Sequence, residues 1–315
     1  MRLTAAPARH PRGPGTAGRT ASGRAWWRTG AAKGWAYAAP TAVVVGLLFL
    51  APLVLVVWMS LNDWPLLGDP ELNAPENYTK ITEDPLFVDA VWFTLKYTAI
   101  VTVVLSAAAM GLALLVQERR RGVGFFRSAY FLPGAVGFAA ASLLFYGFYN
   151  NDFGPLDTIL RALHITDEPV NWIGTPNMAL FSTIALVIWR FAGFNMLILL
   201  TGLQSIPLEV YEAARVDGAS RWQSFRHITL PLLRPTIALM LILSITGSLL
   251  AFDQFFILTN GGPDNSTTSI VMVVYRNAFF RFDLGGAAAL SVVLLVALVA
   301  LNAIQLRVLR RDGTK

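Results

Sequence analysis

The sequence predicts an all-α membrane protein with six transmembrane helices, on three observations. Apolar residues make up 55% of the 315 residues and charged residues only 14%, against about 25% charged in a soluble globular chain. The apolar residues are gathered into long segments rather than spread at amphipathic spacing. About 20 helical residues cross a hydrocarbon core about 30 Å thick. Finally, the loops between segments alternate between basic and acidic, and Lys and Arg mark the cytoplasmic side because they resist translocation.

Taken in order, residues 1–34 carry Arg2, Arg9, Arg12, Arg19, Arg24, Arg28 and Lys33 with no acid. With little to bury, this stretch is expected to be a disordered basic cytoplasmic tail. A secretory signal peptide competes, but the apolar stretch after Lys33 far exceeds the roughly 7–15 residues such a peptide needs. The first span, 35–61, has no charge, and the loop after it holds Asp63, Asp69, Glu71, Glu76, Glu83, Asp84 and Asp89 against Lys80. The second span, 91–117, contains only Lys96, close to its outer end and able to snorkel to the interface. Arg119, Arg120, Arg121 and Arg127 follow it. The third span, 128–150, is uncharged, and Asp152, Asp157, Asp167 and Glu168 oppose Arg161 in the next loop. The fourth, 178–203, contains Arg190, and the loop 205–231 holds Arg215, Arg221 and Arg226. The fifth, 232–257, has Arg234 at its start and Asp253 near its end. The sixth, 284–307, leads to a second cytoplasmic tail at 310–315 with Arg310, Arg311 and Lys315. The alternation is unbroken and puts both termini in the cytoplasm. The net charge of +6 is thereby topological and does not point to nucleic acid.

Several chemistries are excluded. There is no cysteine, and His10, His164 and His227 are scattered, so neither thiol catalysis nor a metal site is expected. No G-x-x-x-x-G-K-[ST] phosphate loop occurs, so ATP hydrolysis by that route is not expected of this chain. An intramembrane enzyme needs a paired acid–base or metal constellation, and none is visible, so no catalytic residue is assigned. A transporter driven by an ion gradient needs coupling carboxylates at mid-membrane depth, and Asp253, the only acid of the spans, lies shallow.

The loop 205–231 reads as two short helices joined by a sharp turn. Pro207 suits a first turn, and Glu209 and Glu212 favour the positive end of the first helix. Gly218 is placed for the left-handed conformation that closes it. Ser220-x-x-Gln223 fits a capping box opening the second helix. Pro231 and Pro235 then open span five after a break at Leu230. Val210, Ala213, Ala214 and Val216 make the first helix apolar outside the bilayer, either to lie on lipid headgroups or to pack on another protein.

Glu212-Ala213-Ala214, Gly218, Ile228, Leu230 and Pro231 spell E-A-A-x3-G-x9-I-x-L-P, with Asp217 before the glycine. This resembles the EAA loop of permease subunits in ATP-binding-cassette importers. The likeness extends from about residue 38 to 307. Glu76-Asn77-Tyr78 with Asp84-Pro85-Leu86-Phe87 resembles the family's first external loop, and Phe131-Leu132-Pro133 and Gly154-Pro155-Leu156 match around span three. Thr259-Asn260-Gly261-Gly262-Pro263, the T-x-G-G-P element, resembles F-type subunits of carbohydrate importers such as the maltose system. The second external loop is short, and Asp157 stands where the family often has asparagine.

The resemblance implies a type I importer permease fold in a prokaryotic cell membrane. It implies sugar or oligosaccharide uptake, with a glycerol-phosphate or other polyol as the alternative. It also implies partners: a second permease subunit, two ATPase subunits that bind ATP and Mg, and an extracytoplasmic solute-binding protein. Within it, Glu212 is the ionic contact to the ATPase, Ala213 and Ala214 the close-packing face and Gly218 the turn. Ile228, Leu230 and Pro231 lock the loop onto span five. Ionisable groups inside spans are functional candidates. The candidate solute path is therefore Trp189, Arg190, Phe194 and Asn195 on span four with Phe252, Asp253 and Gln254 on span five. Aromatic faces would stack on sugar rings and polar groups would bond hydroxyls. The competing reading has Arg190 and Asp253 satisfying backbone carbonyls or subunit contacts.

Overall fold

The computed structural model describes residues 30–118, 121–150 and 154–312. The expected tail therefore lies outside the described residues up to residue 29, as do Arg119, Arg120, Asp152 and residues 313–315. The chain divides into two compact units, Met1–Val54 and Leu55–Lys315.

The first unit contains α1 (Gly30–Val45), a π turn (Gly46–Leu50) and the start of α2 (Ala51–Ser60). Helix thus begins at Gly30, inside the stretch expected to be disordered, where Ala31 and Ala32 favour it. Gly34–Ser60 is a span of 27 residues, as expected for 35–61. In the π turn the Ala51 N–H reaches Gly46 O, five residues back. The next residue is Pro52, which has no N–H to give and whose ring crowds the preceding turn.

In the second unit, β1 (Asn62–Asp63) and β2 (Glu71–Leu72) form an antiparallel pair before α3 (Glu76–Glu83). Asn77 Nδ2 donates to Ser60 O at 3.1 Å and Asn62 O at 2.9 Å, binding α3 to the end of the first span. Next comes α4 (Pro85–Val116). It starts six residues ahead of the expected boundary at 91, because Asp84 Oδ1 accepts the Leu86 N–H at 2.9 Å and Pro85 takes the first helical position.

The expected third span is not one helix. It is α5 (Val123–Ala135) and α6 (Phe138–Phe148), bent by 96°. Pro133 sits in the last turn of α5, and Val136 and Gly137 are extended. The Val136 carbonyl freed by this bend accepts from Arg190 Nε at 3.1 Å, and the Arg190 guanidinium lies 4.8 Å from the Phe138 ring and 4.5 Å from the Phe191 ring. Hydropathy records composition and carries no direction, so the bend was invisible to it.

Next come α7 (Pro155–Ala162) and α8 (Pro176–Gln204), the latter close to the expected 178–203. Two short helices follow, α9 (Leu208–Val216) and α10 (Arg221–Ser224), then a second π turn (Phe225–Thr229) and α11 (Leu230–Leu249). The break expected at Leu230 is absent, and Arg221–Leu249 is a single helix of 29 residues. Leu230 N–H reaches Phe225 O, and Pro231 comes next, as Pro52 does in the first unit. A widened turn accommodates the proline where an α turn would clash.

Span five does not reach residue 257. It ends at Leu249, and α12 (Asp253–Leu258) is a separate short helix. Asp253 belongs to the first turn of α12 rather than to a span, a position the helix dipole favours for an acid. Ser269 Oγ donates to the Ala251 carbonyl at 2.6 Å, at the break. The chain closes with α13 (Ile270–Phe279) and α14 (Leu284–Asp312).

Two clusters set the long helices in register. Tyr97 and Val101 of α4 meet Ile184 and Val187 of α8 and Phe255 of α12. Ala109 and Ala113 of α4 meet Met196 and Leu199 of α8 and Leu233 and Met240 of α11. Helices α4 and α8 are therefore parallel and α11 antiparallel to them, with α9 and α10 at one end of the unit and α12 and α13 at the other. Lipid gives helices no hydrophobic reason to associate, so close approach of small residues carries the packing. A Cβ at Gly193 of α8 would overlap the Tyr130 carbonyl of α5. Gly193→Ala is thus expected to destabilise the purified protein by about 1–3 kcal/mol, lowering its melting temperature by several degrees. Gly111→Ala, where a Cβ meets nothing within 4 Å, should leave the temperature unchanged or raise it.

Candidate functional site

The first site is the α9–α10 loop. Helix α9 opens on Pro207, which is extended and serves as the cap rather than a first-turn residue. It closes at Gly218, whose φ of +79° is the left-handed conformation expected there. Around it the Gly218 N–H reaches Arg215 O and the Ala219 N–H reaches Ala214 O. The capping box is formed in full: Gln223 N–H donates to Ser220 Oγ at 3.3 Å and Ser220 N–H to Gln223 Oε1 at 2.7 Å. Tyr211 Oη meets Thr229 Oγ1 at 3.0 Å and ties α9 to the π turn.

The side chains of this loop divide between two faces. Glu212, Ala213, Asp217 and Gly218 are exposed, and Ile228, Leu230 and Pro231 are half-buried. Ala214 is only 9% exposed. It faces its own chain, whereas Ala213 stays exposed. Val216 is 88% and Trp222 65% exposed, large apolar side chains open to contact. Sequence reading did not single out Trp222; an indole in a polar loop segment was the available signal.

The second site is a cleft of about 120 Å³ between α4, α8 and α11. Phe194 and Asn195 of the expected path line it, as does Gln254, together with Tyr97, Phe138, Phe191 and Ser244, which were not anticipated. Asn195 Nδ2 donates to Phe191 O at 3.0 Å, and its Oδ1 accepts from Ser244 Oγ at 3.3 Å. Gln254 is 2% exposed and its Nε2 donates to Tyr97 Oη at 3.2 Å. Its Oε1 is buried with no hydrogen-bond partner, a costly state that a donor entering the cleft would relieve.

The other expected path residues stand apart. Trp189 packs on Phe145 at 5.3 Å, and Phe252 on Phe256 and Tyr275 at 5.1 and 5.2 Å. Asp253 is half-buried on α12 and does not line the cleft. Arg190 sits behind the Phe138 and Phe191 rings, engaged with the Val136 carbonyl. Its geometry is that of backbone satisfaction.

The T-x-G-G-P element is a self-bonded turn. Thr259 Oγ1 meets Thr267 Oγ1 at 2.7 Å, Thr267 Oγ1 donates to Gly262 O at 2.7 Å, and Gly262 N–H reaches Thr259 O at 2.8 Å. Gly261 has a φ of +82°, and a Cβ there would press on Arg276 and Thr268. Neither these residues nor Pro263 line the cleft. Among the described residues no group of three or more His, Cys, Asp or Glu is placed to hold a metal ion.

Comparison with known proteins accords with this arrangement. Residues 108–311 match the family described as binding-protein-dependent transport system inner membrane component. The chain is 34% identical over 274 residues to the sulfoquinovosyl glycerol transport system permease protein SmoG of Agrobacterium fabrum, covering 86% of this chain and 88% of that one. It is 32% identical over 276 residues to the trehalose/maltose transport system permease protein MalF of Thermococcus litoralis, covering 87% and 92%. In fold it is similar to a bacterial ABC transporter involved in the import of the acidic polysaccharide alginate, with a TM-score of 0.77 at 23% identity over 88% of this chain and 94% of that one. A bacterial alginate transporter in complex with an alginate pentasaccharide-bound periplasmic protein gives 0.76 at 23%, over 90% and 98%. By its sequence, its apolar helices and this fold, the chain belongs to the family of membrane-embedded permease components of binding-protein-dependent ABC transport systems.

Proposed function

We propose that this chain is the permease subunit of an ATP-driven sugar importer. A second permease subunit, two ATPase subunits and an extracytoplasmic solute-binding protein would complete the transporter. The observation that carries the reading is the exposed Glu212–Ala213 face of α9, closed by its turn at Gly218 and placed beyond the span ends. The substrate class is supported by relatives named for sulfoquinovosyl glycerol and for trehalose and maltose.

In this mechanism the ATPase grips α9 through Glu212 and Ala213, with Val216 and Trp222 as apolar contacts. Closure of the ATPase pair draws the loop inward. Because Arg221–Leu249 is uninterrupted, movement at Trp222 reaches Ser244 as that of one rod about 33 Å away. Ser244 lines the cleft, so force applied at the loop bears directly on the solute site. There Phe194 and Tyr97 would stack on a sugar ring while Asn195 and the unpartnered Gln254 Oε1 take its hydroxyls. ATP and Mg belong to the partner ATPase, and both chain termini lie on its side of the membrane.

Two measurements test the reading. Glu212→Lys should abolish uptake, at least tenfold below wild type, while the protein still inserts and the ATPase still turns over; wild-type uptake would sink the coupling assignment. Gln254→Leu and Asn195→Ala should each lower sugar transport about tenfold with binding-protein affinity unchanged, as expected for loss of a buried hydroxyl partner. Unchanged rate and unchanged sugar range would remove the cleft from the path.

A further inference from the structure

The end of the second unit opposite α9 holds another cleft, of about 380 Å³, which shares no lining residue with the first. Phe256, Tyr275 and Phe280 wall it, and Arg276 and Arg281 supply its charge. Arg276 Nη1 donates to Asn265 Oδ1 at 2.7 Å and Nη2 to Asn260 O at 3.0 Å. Both acceptors are neutral. Among the described residues no carboxylate pairs with Arg276. Burial first, and then the neighbouring Arg281 charge, push the Arg276 guanidinium below its ordinary value, with no acid acting the other way.

The nearby carboxylate is already committed. Asp84 accepts the Leu86 N–H through Oδ1 and Arg281 Nη1 at 3.0 Å through Oδ2. A guanidinium has five N–H groups, and the loop engages Arg276 through two. Tying the loop requires donors, which a neutral side chain also supplies, and does not account for a second cation beside Arg281. Two like charges partly withdrawn from water destabilise each other. A carboxylate arriving from outside would be held by charge-assisted bonds to both.

We infer that this cleft receives an aspartate or glutamate side chain of the extracytoplasmic binding protein. Arg276 and Arg281 form its cationic floor, and the rings of Phe256, Tyr275 and Phe280 line the wall beside them. The inference rests on the importer reading, which puts this end of the unit outside the cell. The cleft is built mostly from α12, α13 and the loops beside them, with Leu86 of the first turn of α4, at the end of the unit where a delivering protein touches down. Its excess positive charge selects an acidic contact.

The test uses the complete transporter in lipid nanodiscs, its ATPase titrated with the sugar-loaded binding protein of the same system. Arg276→Gln should raise the half-saturating concentration at least tenfold and Arg276→Lys by less, with the rate in the absence of binding protein unchanged. The wild type's salt dependence should flatten in Arg276→Gln. Neutralising the matching carboxylate on the binding protein should weaken docking to wild type and add nothing in the Arg276→Gln background. Should Arg276→Gln fail to assemble, Arg281→Gln, which leaves the turn around Gly261 intact, is judged by the same threshold. A rise of less than tenfold in Arg276→Gln overturns the inference, as does a loss that follows the charge of the sugar rather than that of the binding protein. A wild-type transporter that no binding protein stimulates would count against the importer reading itself.

Discussion

Within a bilayer core there is no water to satisfy a freed peptide group, and the architecture is organised around that requirement. Four places among the described residues where the helices depart from regular geometry carry their own remedy. The Val136 carbonyl at the 96° bend is taken by Arg190, fifty-four residues along the chain. The Ala251 carbonyl between α11 and α12 is taken by Ser269. At Pro52 and Pro231 the preceding turn widens to a five-residue bond. The irregular features therefore differ from one another in form but answer the same constraint, and each leaves the helix beside it continuous or sharply redirected.

That constraint also explains which parts of the molecule were legible in the sequence. Composition placed the spans because length and apolarity are all a bilayer crossing asks of a helix. The loop 205–231 was legible in detail because its signals are local: a glycine that takes positive φ, and a Ser and Gln that cap each other. The bend between α5 and α6 was not, because Pro133 is tolerated inside membrane helices and the partner that stabilises the break lies on another one. The same gap misplaced Asp253. Its apolar neighbours continued the fifth span on paper, whereas the chain stops at Leu249 and restarts with the acid at a helix N-terminus. Ala214 turned inward because helical spacing puts it about 200° round from Glu212, a distinction that a motif written as letters does not draw.

The cleft shows a related division. Phe194, Asn195 and Gln254 were reachable from sequence as polar or aromatic groups in apolar surroundings. Tyr97, Phe138 and Ser244 were not, since each is ordinary on its own helix and gains meaning only where α4, α6 and α11 converge. Gln254 differs from Arg190 in what it lacks. Arg190 Nε found a carbonyl acceptor within the fold, while the amide oxygen of Gln254 found no donor.

The π turn between α10 and α11 does more than admit a proline. A helix advances by about 100° per residue, so the extra residue in that turn fixes the rotational phase between the face presented at Trp222 and the face presented at Ser244. The loop and the cleft are thus matched by angle as well as joined by length. A shift of one residue there would keep every helix, yet rotate the hydroxyl of Ser244 away from Asn195 and leave a rod that pushes on the wrong wall.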